Sequence, residues 1–409
     1  MPRCLPIAAA IWLAAAPPPL RAANLQTLAS LGPLPAPVFP TGALAMGRHN
    51  VIYGASSQGG ALGLGTAFLL APPVPPATAW RTTVIHSFAI AEGIRPGGGL
   101  TPGAGGTLFG TTYTGGPHGN GTVFALTPNG PGWTETTLFG FTGGPDGGAP
   151  LGTLLVTARG TLLGTTTLGG ANNTGTIFAL TPPATSGAPW TQAVLASLPT
   201  IQTGRGVYPY GGLVRSRAGI LYGTTQEGGA HGCGAVFQLA PGNGGASWTL
   251  AWLHDFNCGT EGGLPVATLL LNGAGALTGT TTAANFQPLG TVFRLTPPPH
   301  GAAGWSFQTL FAFGNGATGA MPAGPLATDA AGALYGATAQ GGANGFGLVF
   351  KLTPHANPAS AWAETVLHSF AGPDGAIPAA VAGFSPRALV GTTRGGGAAD
   401  AGTVFWLAR

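Results

Sequence analysis

The chain has 409 residues, of which 74 are glycine, 38 are proline and only 6% are charged, while 44% are apolar. Glycine and proline at that level can accompany low-complexity disorder, but disorder also requires low hydrophobicity and high charge, so a large buried core is expected instead. The formal charge is +4, and the 14 Lys and Arg include no basic run of the kind that tracks a phosphate backbone, which argues against nucleic-acid binding.

Residues 1–23 read as an export signal: Arg3 supplies the positive start, Leu5 to Ala16 an apolar run, and Ala22 and Ala23 the small residues of a cleavage site. The run is too short to span a bilayer. Cys4 precedes it, which disfavours a lipoprotein. No second apolar stretch of membrane length follows, and the sequence ends at Arg409 without an anchor, so residues 24–409 are expected to be secreted or periplasmic and monomeric.

One phrase then recurs along the chain. Ile52-Tyr53-Gly54-Ala55-Ser56 is a divergent first copy, followed by Leu108-Phe109-Gly110-Thr111-Thr112, Leu162-Leu163-Gly164-Thr165-Thr166 and Leu221-Tyr222-Gly223-Thr224-Thr225. Leu277-Thr278-Gly279-Thr280-Thr281, Leu334-Tyr335-Gly336-Ala337-Thr338 and Leu389-Val390-Gly391-Thr392-Thr393 complete the set. Measured at the glycine, the spacings are 56, 54, 59, 56, 57 and 55 residues. A second phrase follows each copy, as in Gly121-Thr122-Val123-Phe124-Ala125-Leu126-Thr127-Pro128. A third opens on tryptophan, as in Trp362-Ala363-Glu364-Thr365-Val366-Leu367-His368-Ser369-Phe370, and a fourth precedes the first, as in Pro150-Leu151-Gly152-Thr153-Leu154. All are short, rich in β-branched and aromatic residues, and bounded by Gly, Pro or Asn, which is how strands read. Four strands per repeat and seven repeats predict an all-β, seven-bladed β-propeller with four antiparallel strands per blade.

The last copy stops at Thr403-Val404-Phe405-Trp406-Leu407 and lacks its tryptophan strand. Asn24 to Leu31 matches the corresponding segment Thr191 to Leu198, so the N-terminal strand should complete the C-terminal blade and cover an otherwise open edge. Gly pairs such as Gly115-Gly116 should form turns at positive φ. Glycine at the centre of the first phrase suggests a close approach between blades, and the Thr pair beside it could pin strands by hydroxyl bonds.

Together, Leu-Tyr-Gly-Thr-Thr, the Gly pair, Gly-Thr-Val-Phe-x-Leu-Thr-Pro and Trp-x-x-x-x-Leu-His-Ser-Phe resemble the Gloeobacter/Verrucomicrobia-type tandem repeat. The resemblance implies exported bacterial proteins, often with a C-terminal sorting anchor that this sequence lacks. Its motif holds no catalytic residue to carry over.

The conspicuous side chains are mostly those the repeat requires. Cys233 and Cys258 flank neighbouring strands and, in an exported protein, should form a disulfide. His86, His254 and His368 occupy equivalent strand ends on different blades, which disfavours a shared metal. No metal or other cofactor is expected. Asp146 and Asp374 lie in Pro-Asp-Gly turns. The loops joining second to third strands, and fourth strands to the next blade, should emerge on one face. They carry the residues that differ between copies, with His118, Asp146, Glu227, His231, Asp374 and Asp400 as candidate ligand contacts. No nucleophile elbow, Cys-x-x-Cys or phosphate loop occurs. The expected function is a non-catalytic binding or scaffold module for an extracellular glycan or protein. The alternative is a propeller hydrolase or lyase acting on polysaccharide or cell-wall material.

Overall fold

The computed structural model describes residues 25–409 apart from 186, 243–246, 284–286, 288, 300–303, 315, 356 and 358–359. The export-signal segment, residues 1–23, and Asn24 lie outside the described residues. Seven antiparallel sheets are arranged as seven blades of a β-propeller. Blade 1 comprises Pro37–Met46, Ile52–Gly59, Thr66–Ala71 and Arg81–Ser87, ordered from the inside outward. Blade 4 repeats the plan with Val214–Arg215, Leu221–Thr225, Ala235–Pro241 and Trp248–Asp255. In blade 2 the inner strand is broken into Ile94–Pro96 and Thr101–Pro102, both paired to Leu108–Thr114. No helix among the described residues is long and apolar enough to cross a membrane.

The seventh sheet is assembled from both ends of the chain. Its strands are Ala376–Ser385, Ala388–Gly395, Thr403–Ala408 and, as the outer strand, Leu25–Ser30. Leu25 opposes Leu407 and Ser30 opposes Thr403. The ring closes as the matching of residues 24–31 to the outer-strand phrase predicts, and the free edge is paired.

Repeated aromatic contacts bury the interfaces between blades. The phenylalanine ending one outer strand meets the third-strand phenylalanine of the next blade edge-on. Phe88 and Phe124 have centroids 4.9 Å apart, Phe256 and Phe293 5.0 Å, and Phe370 and Phe405 5.2 Å. Such edge-to-face pairs add to the stabilisation from burial. Leu198 and Leu31, both fully or almost fully buried, take the equivalent position after blades 3 and 7.

The glycine at the centre of the second strand has a different role from the expected blade-to-blade approach. A β-carbon on Gly223 would lie 2.5 Å from Cζ of Phe237, its partner on the third strand of the same blade, and 3.1 Å from Cδ2 of Leu213. The missing side chain makes room for a phenylalanine ring inside one sheet. The close approach between blades occurs instead on the inner strands, where a β-carbon on Gly152 would lie 2.7 Å from the carbonyl oxygen of Gly211.

The threonine pair divides its work. The second hydroxyl meets a third-strand threonine: Thr112 and Thr122 at 2.9 Å, Thr166 and Thr176 at 2.8 Å, and Thr393 and Thr403 at 2.9 Å. The first can reach across blades, as Thr165 does when it donates to the Gly211 carbonyl at 3.2 Å. The Gly115-Gly116 turn has φ of 76° and 81°, as its sequence requires.

Candidate functional site

Each blade carries a residue followed by proline, in or shortly before its inner strand, and all seven of these residues adopt a left-handed backbone. They are Phe39, Arg95, Ala149, Tyr208, Leu264, Met321 and Ile377, with φ between 54° and 58°. Bulky side chains rarely tolerate this region, so seven equivalent cases need a common cause. Each N–H donates to a carbonyl in the turn between the second and third strands of the preceding blade. Tyr208 bonds Thr174 at 2.9 Å, Ile377 bonds Phe346 at 2.9 Å, and Phe39 closes the circle on Ala401 at 2.9 Å. The following proline packs on a glycine of the same turn: a β-carbon on Gly175 would lie 2.8 Å from Cδ of Pro209. The hydrogen bond and the proline contact hold the backbone in place and leave the side chain uncommitted. Phe39 is 36% exposed and Ile377 47%. Arg95 is also exposed, and Tyr208, Leu264 and Met321 are half-buried.

Inside this rim the inner strands surround a funnel of about 470 Å³. Its wall is largely Gly, Ala, Val and Pro, because the inner strands approach too closely for larger groups. Against that wall stand Tyr210, Met321, Ile377, Gln226, Thr282 and Arg394. Gln226, Thr282 and Arg394 share one repeat position, the residue immediately after the threonine pair, and differ from blade to blade. Burial raises the pKa of the Tyr210 phenol, and the nearby Tyr113, Glu227 and Tyr208 push it the same way. Tyr210 therefore keeps its proton at neutral pH and has a hydroxyl hydrogen to offer. Among the described residues lining the funnel, Arg394 is the one charged side chain.

The six candidate ligand residues occupy the expected face without converging. His118 and His231 sit at exposed turn tips of blades 2 and 4. Asp146 accepts the Thr142 N–H at 2.9 Å and also its hydroxyl. Asp374 accepts the Ala371 N–H at 2.8 Å, and Asp400 the Gly396 N–H at 2.7 Å. These three aspartates hold their own turns together. Asp400 also borders a separate cleft of about 500 Å³ with Phe346, Gly372 and Pro373. Glu227 alone acts on the funnel, through Tyr210.

Cys233 and Cys258 are bonded, with Cα atoms 5.5 Å apart. The three histidines stay on separate blades, each beside an acidic residue: His86 3.0 Å from Glu92, His254 3.3 Å from Glu261 and His368 2.7 Å from Asp374. Three or more potential metal-binding side chains are nowhere grouped among the described residues. On the outer strands, far from the funnel, burial pushes Glu135 and Glu364 up to about 7.

Sequence reasoning passed over the pre-proline ring and the position after the threonine pair. Both were accessible from aligned repeats, the first as x-Pro-x-Gly or x-Pro-x-Ala and the second as a variable residue beside a recurrent phrase.

The profile of the Gloeobacter/Verrucomicrobia repeat matches residues 24–198 and 186–405. No curated protein matches the chain. Among solved structures it is similar to the extracellular domain of a protein assigned as a hybrid two-component system from B. thetaiotaomicron. That match is 11% identical with a TM-score of 0.54, covering 93% of this chain and 40% of the other. It is similar also to a puromycin-hydrolysing peptidase of Mycobacterium tuberculosis, 13% identical with a TM-score of 0.51, covering 92% of this chain and 51% of the other. Identities this low concern the fold alone.

Proposed function

This chain belongs to the Gloeobacter/Verrucomicrobia repeat family, and on that footing we propose that it is an exported, non-catalytic binding module whose central funnel holds the end of a short glycan. One observation carries the reading. Among seven near-identical blades, the funnel is where the blades present unlike side chains: Tyr210, Gln226, Thr282, Met321, Ile377 and Arg394. Its volume falls within the roughly 300–1,000 Å³ usual for small-molecule sites. Tyrosine and the apolar rim offer flat surface to the C–H face of a sugar, while the amide, hydroxyl and guanidinium suit its hydroxyl groups.

The lining argues against hydrolysis. Glycosidases of the common type flank the scissile bond with two carboxylates, and no carboxylate lines the funnel among the described residues. A lyase reading has one observation in its favour, a tyrosine, an amide and an arginine in one cavity. The raised pKa of Tyr210 works against it as a base at neutral pH.

A glycan array on the purified protein, followed by calorimetry on the best ligand, tests the proposal. Tyr210→Ala and Arg394→Ala should each weaken binding at least tenfold, whereas His118→Ala and His231→Ala should leave it unchanged. Unaltered affinity in both funnel variants overturns the funnel assignment. Steady growth of unsaturated product from a polyuronate would establish the lyase reading in its place.

A further inference from the structure

The funnel face and the opposite face of the ring differ in charge, although no basic run exists in the sequence. The opposite face is built from the turns between inner and second strands and those between third and outer strands. Arg48, Arg159, Arg217 and Arg387 occupy four of the inner-to-second-strand turns, and Arg215 and Arg409 lie at strand ends beside them. The four turn arginines and Arg215 are exposed, and Arg409 is half-buried. The close ion pairs among the described residues all involve histidine, so none of the six arginines is neutralised by a carboxylate within 4 Å. Asp329 is the one acidic residue in these turns, and it accepts a hydrogen bond from the Tyr335 hydroxyl at 2.8 Å.

The six arginines fall into two groups on opposite sides of the ring. Arg48 belongs to blade 1, and Arg387 and Arg409 to blade 7. The Arg409 N–H bonds the Arg387 carbonyl at 2.9 Å, and the Arg409 guanidinium lies over Tyr335 at 4.7 Å. Arg159, Arg215 and Arg217 belong to the adjacent blades 3 and 4. In a ring of seven, blades 7 and 1 lie across the axis from blades 3 and 4.

We propose that this face docks an acidic polysaccharide, a carboxylate- or sulfate-bearing polymer that crosses the axis and engages both arginine groups. The guanidinium fork matches such oxyanions in a bidentate manner. Two groups on opposite sides reward a ligand long enough to span them, because the second contact becomes intramolecular. The face lacks the means to hold other polyanions as well. Val74 is the one exposed large apolar side chain on it among the described residues, so it has little to insert into a lipid layer. Among the described residues its tryptophans and Phe384 are at least half-buried, which leaves no fully exposed ring on which nucleic-acid bases could stack. Docking by this face leaves the funnel on the far side open to solvent, so the two sites work independently.

The test is equilibrium binding of the full chain to long-chain alginate, a polyuronate, at low and high salt. The wild type should bind, and affinity should fall steeply as salt rises. Arg48→Gln with Arg387→Gln, and separately Arg159→Gln with Arg217→Gln, should each cost more than tenfold. A di- or trisaccharide of the same uronate, too short to span the ring, should bind at least a hundredfold more weakly than the polymer. Unchanged urea midpoints show that the variants are folded, and Tyr210→Ala should keep full alginate affinity, which separates this proposal from the funnel reading. Equal alginate binding by wild type and by a variant carrying all four of these Arg→Gln changes overturns the proposal. So does tighter binding to duplex DNA or to phosphatidylglycerol vesicles than to alginate.

Discussion

Replacing Cys233 and Cys258 by alanine tests how the funnel rim is held. The bridge spans 25 residues, and the chain-entropy relation for a loop of that length gives about 3.5 kcal/mol of stabilisation through the unfolded state. Both sulfurs are also buried, in a cluster with Val236, Phe256 and Phe293, so the double alanine variant loses some packing as well. Urea unfolding followed by tryptophan fluorescence and circular dichroism should show a loss of about 3–5 kcal/mol for the variant. Reduction of the wild type should reproduce most of it. The slope of free energy against urea should rise in both cases, because an uncrosslinked unfolded chain exposes more surface. The rim should respond too. The Cys233 carbonyl accepts the N–H of Leu264 at 2.8 Å, and the Cys258 N–H bonds Gly262 at 3.1 Å, so the bridge ties a turn of blade 4 to the rim residue of blade 5. Funnel ligands should therefore bind the reduced protein more weakly. A change below about 0.5 kcal/mol with an unaltered slope would refute the reasoning, since it would mean that the bridge does not restrict the unfolded chain.

Further outcomes follow from the packing and the buried charges. Gly223→Ala should cost about 1–3 kcal/mol because its β-carbon meets the Phe237 ring, and adding Phe237→Leu should recover part of that loss. Absence of recovery in the double variant counts against the intra-blade role of the glycine. Glu364, pushed by burial to about 7, holds its proton longer in the folded than in the unfolded chain. Its contribution to stability is therefore undiminished below the unfolded value of about 4.3, falls as pH rises to about 7 and is flat above. Glu364→Gln should raise the urea midpoint at pH 8 relative to wild type while leaving it little changed at pH 4; equal effects at the two pH values contradict the assignment. Deleting residues 25–31 removes the outer strand of the seventh blade, so size-exclusion chromatography should show self-association through the exposed Thr403–Ala408 edge.

The fold was legible because each blade restates the same four strands at nearly constant spacing, and a missing strand at one end matched a surplus strand at the other. The disulfide was legible for a related reason: Cys233 and Cys258 sit just outside strands that must be neighbours. The funnel was not, because each blade contributes only a few scattered residues there. Tyr210, Gln226 and Arg394 are unremarkable alone and become a site only when the ring places them around one axis. The left-handed backbone at Tyr208 or Ile377 is likewise invisible locally, since it is imposed by the carbonyl of the preceding blade. The arginines of the opposite face were hidden by distance along the chain, with Arg48 and Arg387 belonging to the first and last blades. The candidate acids have a structural task that the sequence alone does not reveal: Asp146, Asp374 and Asp400 accept the backbone N–H groups of their own turns.

The pairing of Leu25 with Leu407 sets an order on how the molecule comes into being. The first described strand to be synthesised is the last that can find its place, because its partner strand is made after every other described strand. Six blades can gather their strands as they are made, while the opening segment waits unpaired. A chain cut short anywhere before Thr403–Ala408 leaves that segment without its partner and the ring unclosed. The splice thus makes closure of the ring conditional on synthesis having passed Thr403–Ala408.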